Sequence, residues 1–371
     1  MAAAMVFGLL TADAVVSADT VSVNMSVPAS VASTGFTQDV AERIFTHEFE
    51  RMNQTRSLLK PPVMRSAREP TIIGVIANSL RLNDFTSALQ DLLGLERMRV
   101  TGAIVAGGPD GNRLLINSAS ASSGAFSVEL TDNGGTERLL RRGALATMEQ
   151  VQPYRAALFH FDQVMRAGGR DFSTVQAMAE RELARPRRAE VLTERSYMEN
   201  LLGITALLRN DLDEAERRFR RSFNWNTTFA IGKLNLAFVL IQRDRYQEAL
   251  DVLNPLVALS LEPRFAPVQR FGPLRESLHS SIGVARWGLG NLDGAEEAFR
   301  TATSEYPDSE AAYTYLSRLL LERGRTAEAA EKAAIARANA LTFENYPEVA
   351  TLYFWMTPRD NQPLVRRFAL Y

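Results

Sequence analysis

The chain has 371 residues, long enough for two domains with cores of their own. A formal net charge of −1 excludes a global attraction to nucleic acid or acidic lipid. The absence of Cys excludes disulfides and thiolate zinc sites and leaves stability to packing. Basic residues are nearly all Arg, with Lys only at Lys60, Lys233 and Lys332, a skew that fits a GC-rich bacterial genome.

Residues 1–19 open with the apolar run Met1–Val16, interrupted by Asp13 and preceded by no Lys or Arg. Three readings stay open: an atypical signal peptide cut after Ala12-Asp13-Ala14 or Val16-Ser17-Ala18, the remnant of a membrane anchor, or a disordered apolar tail. Export or anchoring is the expectation. Residues 20–150 then read as a small α+β domain. Val21, Val23, Met25 and Val27 alternate with polar residues as a strand ended by Pro28. Thr37 caps a helix through about Met52, with Asp39 in its first turn. A loop is expected over Asn53–Pro70, a buried strand at Thr71–Ala77, and a second helix from Asn83 or Asp84 to Gly94. Strands at Met98–Ala106 and Asn112–Ala119 flank the hairpin loop at Gly107–Gly111, and Phe126–Leu130 adds another. A third helix runs from Thr136 through Met148. The sum is a three- to five-stranded sheet with helices on one face.

Beyond residue 150 the period changes. Ala215, Ala249, Ala295 and Ala329 lie 34, 46 and 34 residues apart, each opening a helical pattern after a polar turn. The upstream pairs Leu202-Gly203, Leu236-Ala237, Ile282-Gly283 and Leu316-Ser317 join a bulky residue to a small one. Phe219, Leu253, Phe299 and Ala333 follow the alanines on the same helical face. Asn210-Asp211, Asp244-Arg245, Gly290-Asn291 and Gly324-Arg325 supply the turns, and Pro307 ends the third unit. These columns resemble the tetratricopeptide repeat family in units of about 196–229, 230–263, 276–309 and 310–343. Glu199 and Lys233 stand where that pattern usually has an aromatic residue, and Ala333 where it has a large one.

Stacked hairpins bury their apolar faces only against neighbours. Residues 151–195 are accordingly expected to supply a degenerate leading repeat, and 344–371 a capping helix and tail. The stretched middle interval places an insertion at about 260–273, with Pro263, Phe265, Pro267, Phe271 and Pro273. The fold expected is an α+β N-terminal module followed by an all-α solenoid of antiparallel helix hairpins. The motifs Val27-Pro28, Gly35-Phe36-Thr37, Val40-Ala41, Arg99-Val100-Thr101-Gly102 and Gln152-Pro153-Tyr154-Arg155-Ala156-Ala157 also resemble the front domain of uncharacterised alphaproteobacterial membrane-anchored repeat proteins. That resemblance implies a scaffold associated with the membrane and facing the periplasm, without biochemical activity.

Chemistry-bearing constellations do not assemble. His47, His160 and His279 are far apart, and Arg51 stands where a metalloprotease helix beginning His47-Glu48 needs its second His. The Gly107–Asn112 run lacks the Lys-Ser/Thr of a phosphate loop. No catalytic, cofactor or metal residue is assigned. Arg138, Arg141, Arg142, Arg185, Arg187, Arg188, Arg217, Arg218, Arg220 and Arg221 read as solvated faces with i,i+4 partners such as Glu214–Arg218 and Glu216–Arg220. No aromatic interleaving suited to base stacking accompanies them, so no nucleic-acid partner is expected.

The family resemblance implies that the first helix of each unit lines a concave groove. Its partner-facing positions carry over as Tyr197, Asn200 and Ile204; Ile231, Leu234 and Phe238; Ser277, Ser280, Val284 and Trp287; and Thr314 and Arg318. So apolar a lining suits a helix or extended segment of another protein, or this chain's own capping helix or front domain. The expected role is a non-enzymatic adaptor at the bacterial envelope, inner-membrane-anchored or periplasmic, with a cytoplasmic location as the alternative. A structural subunit that oligomerises through the α+β module is the alternative role.

Overall fold

The computed structural model describes residues 20–59, 65–66, 98–107, 111–120, 124–185, 192–259 and 272–339. The chain divides into two compact units, 1–55 with 60–159, and 56–59 with 160–371. The strand expected at Thr71–Ala77, the helix expected at Asn83–Gly94, and the capping helix lie outside the described residues, as does nearly all of the 260–273 insertion.

The first unit holds a five-stranded sheet in the order β2-β1-β3-β4-β5. Its strands are β1 (Thr20–Ser26), β2 (Arg65–Ser66), β3 (Met98–Val105), β4 (Asn112–Ser120) and β5 (Gly124–Asp132). β1 runs parallel to β2 and β3, whereas β3, β4 and β5 form an antiparallel meander. The short β2 falls inside the segment expected to be loop. Its two-residue pairing carries no alternation for a sequence pattern to show. α1 (Ala29–Ala32) is a single turn, α2 spans Gln38–Asn53 and α3 spans Thr136–Val151. α2 starts where expected because the Thr37 hydroxyl accepts from the Val40 amide at 3.4 Å.

Period-two burial along β3 puts Met98, Val100 and Ile104 inside with Leu114 and Ile116 of β4. α3 packs on β4 and β5, and α2 packs on β1 and α3, closing this core with Phe45, Phe49, Leu139 and Leu140. Gly143 marks the closest approach: a Cβ there would stand 2.5 Å from a Leu114 methyl and 2.8 Å from one of Ile116. Arg155 is nearly 99% buried, and its guanidinium donates to the Asn53 carbonyl and, at 3.0 Å, to that of Thr55. It thereby satisfies carbonyls at the C-terminus of α2, where a positive charge is electrostatically favoured.

α4 (Pro153–Arg166) contains the division between the units, at Phe159/His160. The second unit continues through α5 (Ser173–Ala184) into four hairpins. These are α6/α7 (Leu192–Leu208, Leu212–Trp225), α8/α9 (Ala230–Gln242, Tyr246–Leu259), α10/α11 (Gly272–Gly288, Leu292–Glu305) and α12/α13 (Glu310–Glu322, Thr326–Asn339). From α5 onward consecutive helices pack on one another, and α10 also contacts α8 and α12. α10 begins at Gly272, inside the stretch read as insertion.

The repeat columns have direct physical roles. Ala215, Ala249, Ala295 and Ala329 are all buried. A Cβ on Gly203 would lie 2.5 Å from the Phe219 ring, and one on Gly283 would lie 2.4 Å from that of Phe299. Glycine in one column thus makes room for phenylalanine in the other, and the two units that lack Phe place Ala237 or Ser317 there instead. Each turn reverses through a left-handed residue: Asn210 (φ 61°), Asp244 (φ 57°), Gly290 (φ 79°) and Gly324 (φ 75°). The next amide reaches back to the Ala206, Leu240, Arg286 or Leu320 carbonyl, in every case at 2.9 Å. That six-to-one bond satisfies a carbonyl left over at the helix end. In two of the units the same residue then caps the following helix. Asp211 accepts from the Glu214 amide at 3.0 Å, and Asn291 accepts from that of Gly294 at 2.9 Å.

Candidate functional site

The carried-over positions lie on the first helices of the hairpins, but most face the interior. Asn200, Ile204, Ile231, Leu234, Phe238, Ser277, Ser280 and Val284 are buried, whereas Tyr197, Trp287, Thr314 and Arg318 are half-buried. α8 shows why. It packs against α7, α9 and α10, and every residue from Ala230 to Ile241 except Lys233 is buried. A helix apolar on all sides is a core element, so its Ile, Leu and Phe do not distinguish a groove face from a packing face.

Polar members of the set are engaged internally. The Asn200 carbonyl oxygen accepts from the Asn235 amide at 2.8 Å. The Ser280 hydroxyl donates to the buried Glu276 carboxyl at 2.7 Å, and the Ser277 carbonyl accepts from Ser281 at 2.7 Å. Ser309, whose hydroxyl caps α12 by accepting from the Ala312 amide at 3.0 Å, also hydrogen-bonds Glu276. Burial pushes the Glu276 carboxyl up to about 7 against the opposing effect of the two hydroxyls. Glu276 carries no signal in the sequence, because a lone Glu in a helix is ordinarily a surface residue.

Among the half-buried positions, Tyr197 leans on Phe229 with ring centroids 5.5 Å apart. The Trp287 indole N–H donates to Glu322 at 2.8 Å, and its ring meets Phe299 edge-on. Arg318 forms no salt bridge among the described residues, and burial lowers its pKa.

Most of the arginines are tied to carboxylates, as read from the sequence. Arg217 and Arg218 bind Glu214 at 2.7 and 2.6 Å, and Arg220 binds Glu216 at 2.9 Å. Arg141 binds Glu137 at 2.6 Å and Glu48 at 3.3 Å. Arg142 and Arg138 converge on the buried Asp132 carboxylate at 2.8 and 3.0 Å. Together with the Gly134 amide they hold that carboxyl below its ordinary range, Arg142 contributing most. Arg187 and Arg188 lie outside the described residues.

The structure adds a feature without an i,i+4 signature. Glu216 of α7 accepts from Arg243 at 3.2 Å and Arg245 at 2.7 Å, both from the turn of the next hairpin. Eighty residues on, Glu296 of α11 repeats the motif with Arg323 at 3.0 Å and Arg325 at 2.7 Å. No group of three His, Asp or Glu able to hold a metal occurs among the described residues. None of their helices is long and apolar enough to cross a membrane.

Comparison with known proteins fits this architecture. A description of the tetratricopeptide repeat family matches residues 286–353, and another matches 200–221 and 230–255. No curated protein matches the chain. Similar solved structures include a MamA RS-1 double mutant at 15% identity, covering 51% of this chain and 94% of that one, with a TM-score of 0.37. MamA 41-end from Desulfovibrio magneticus RS-1 is also 15% identical, covering 52% and 98%, with a TM-score of 0.36. A crystal structure of MamA reaches 20% identity over 48% and 92%, with a TM-score of 0.35. Within the described residues the matched family segments fall on helices of the second unit, whose paired helices are similar to tetratricopeptide repeats.

Proposed function

We propose that this chain is a non-enzymatic scaffold for protein–protein interaction. In this reading it is a structural subunit of a homo- or hetero-oligomeric assembly built through its α+β module, with the repeats holding a second protein. The observation that carries the assembly role is the β5 edge. β5 is nine residues long, pairs with β4 on one side, and has no strand on its other side among the described residues. Such an edge presents a row of backbone donors and acceptors to another strand. α2 and α3 cover one face of the sheet. On the opposite face Arg99, Thr101, Asn117 and Ser127 are exposed and run across adjacent strands.

Light scattering on the full chain tests this. A defined oligomer is expected, and Ala125→Lys with Ser127→Lys, placed on the exposed positions of β5, is expected to convert it to monomer. A strict monomer at high concentration would remove the assembly role.

A second reading keeps the repeats as receptor for a helix or peptide of a partner. The partial exposure of Tyr197, Trp287, Thr314 and Arg318 favours it and narrows the contact set to those four. Phe238 is 1% exposed, so changing it would test folding and not binding. Trp287→Glu is the informative variant, and unchanged partner pull-down by it would remove the groove. Envelope placement, anchored or periplasmic, belongs to the same proposal. Fractionation with mass spectrometry of the native N-terminus tests it against the cytoplasmic alternative.

A further inference from the structure

The C-terminus of α5, the start of α6 and the end of α7 together line a cavity of about 560 Å³, a size that accepts a small molecule. Arg195 is its anchor. The side chain is 3% exposed, one terminal nitrogen donates to the Arg185 carbonyl, and the guanidinium lies 5.0 Å from the centroid of the Trp225 ring. The Nε of Arg195 is buried as well and meets no acceptor among the described residues. A guanidinium N–H cannot neutralise itself by losing its proton, and burying it without an acceptor is costly.

A second cation reinforces the site. Arg221 lines the same cavity and is exposed, and although it lies in the field of Glu199 it forms no salt bridge among the described residues, whereas Arg217, Arg218 and Arg220 on the same helix all do. The other charges lining the cavity are matched. Arg185 binds Glu182 at 2.9 Å, and Glu199 binds Arg218 at 3.1 Å. What remains is two guanidinium groups with donors to spare, beside the half-buried indole of Trp225 and the exposed amide of Asn224.

We infer that this cavity binds an oxyanion, a phosphate monoester or a carboxylate, carried on a flat apolar body that packs beside Trp225. Arg195 Nε and Arg221 are the donors, because planar guanidinium groups match the paired oxygens of such anions. The site is independent of the assembly role and of the groove proposed above.

Calorimetric titration of the full chain at low ionic strength tests it. The probes are phenyl phosphate, benzoate, inorganic phosphate and the neutral benzamide. Phenyl phosphate or benzoate should bind more tightly than inorganic phosphate, the tighter of the two identifying the anion, and benzamide should not bind. Arg221→Gln, on an exposed position that leaves the fold intact, should weaken binding roughly tenfold or more. Arg195→Lys keeps the charge but removes Nε, and it should weaken binding as much while the circular dichroism spectrum stays helical. Absence of heat from all three anions would overturn the inference. So would wild-type affinity in Arg221→Gln, or benzamide binding as well as benzoate. Inorganic phosphate binding as tightly as phenyl phosphate would remove the apolar body from it.

Discussion

Glu276 is a carboxylic acid placed where a carboxylate is disfavoured. It is 1% exposed, its neighbours are the hydroxyls of Ser280 and Ser309 with Tyr315 nearby, and its pKa is raised to about 7. A group whose folded pKa lies above its unfolded value of about 4.3 binds more protons when folded. Its folding contribution is therefore undiminished below pH 4 and declines as pH rises through 7. Glu276→Gln keeps the shape and an acceptor for Ser280 while removing the ionisation. The variant should be more stable than the parent by about 3 kcal/mol at pH 8 and equal to it near pH 4. Urea denaturation across that range measures the difference, and a pH-independent difference would contradict the assignment. Neither the burial nor the hydroxyl pair was legible beforehand, because Ser309 sits at the N-cap of α12 and reaches Glu276 of α10 only through helix packing.

The turns between paired helices are legible as elements. Their polar or glycine pairs recur in phase, and all four adopt the same left-handed reversal. Two of those residues are Asn210 and Asp244, which accept that conformation less readily than glycine. Asn210→Gly should stabilise the second unit by about 0.5–1 kcal/mol, and Gly290→Val should cost about 1–2 kcal/mol. Thermal melting of the two variants checks both signs. A destabilised Asn210→Gly would mean that the Asn side chain supplies something beyond its backbone geometry. The alanine and glycine columns were equally legible, since Gly203 and Gly283 exist to clear the rings of Phe219 and Phe299. The two-residue β2 was not, because pairing with β1 creates it and local alternation does not.

Across the repeats, stability is shared between neighbours that lie apart in sequence. Glu296 receives Arg300 from its own helix and Arg323 and Arg325 from the next hairpin's turn, with only 12% of its side chain exposed. Burial raises its pKa, but Arg325 and Arg300 outweigh that and leave it lowered. A depressed carboxylate contributes stability above its unfolded value of about 4.3, lost as pH falls through the folded value. Glu296→Gln should therefore cost about 1–2 kcal/mol at pH 7, less at high salt, and progressively less as pH falls below about 4. Denaturant midpoints at pH 7 and pH 3, with and without 1 M salt, check this. Because each hairpin rests on its neighbour, the loss should also reach α12 and α13 in hydrogen exchange.

The amino-acid sequence by itself determined the helix hairpins, their period and their turns. Those depend on local conformational preference and on small residues recurring at one spacing, both written along the chain. The antiparallel part of the front sheet was determined in the same way, by alternation. Tertiary structure alone decided which apolar faces of the first helices meet solvent. Ile231, Leu234 and Phe238 look the same in sequence whether they line a groove or fill the space between helices, and contact on several sides of α8 made them core. It also decided that Arg221 and Arg195 meet in one cavity while their neighbours are neutralised. Charge partners separated by a helix turn can be read from spacing, but partners brought together by stacking are fixed only when the hairpins pack.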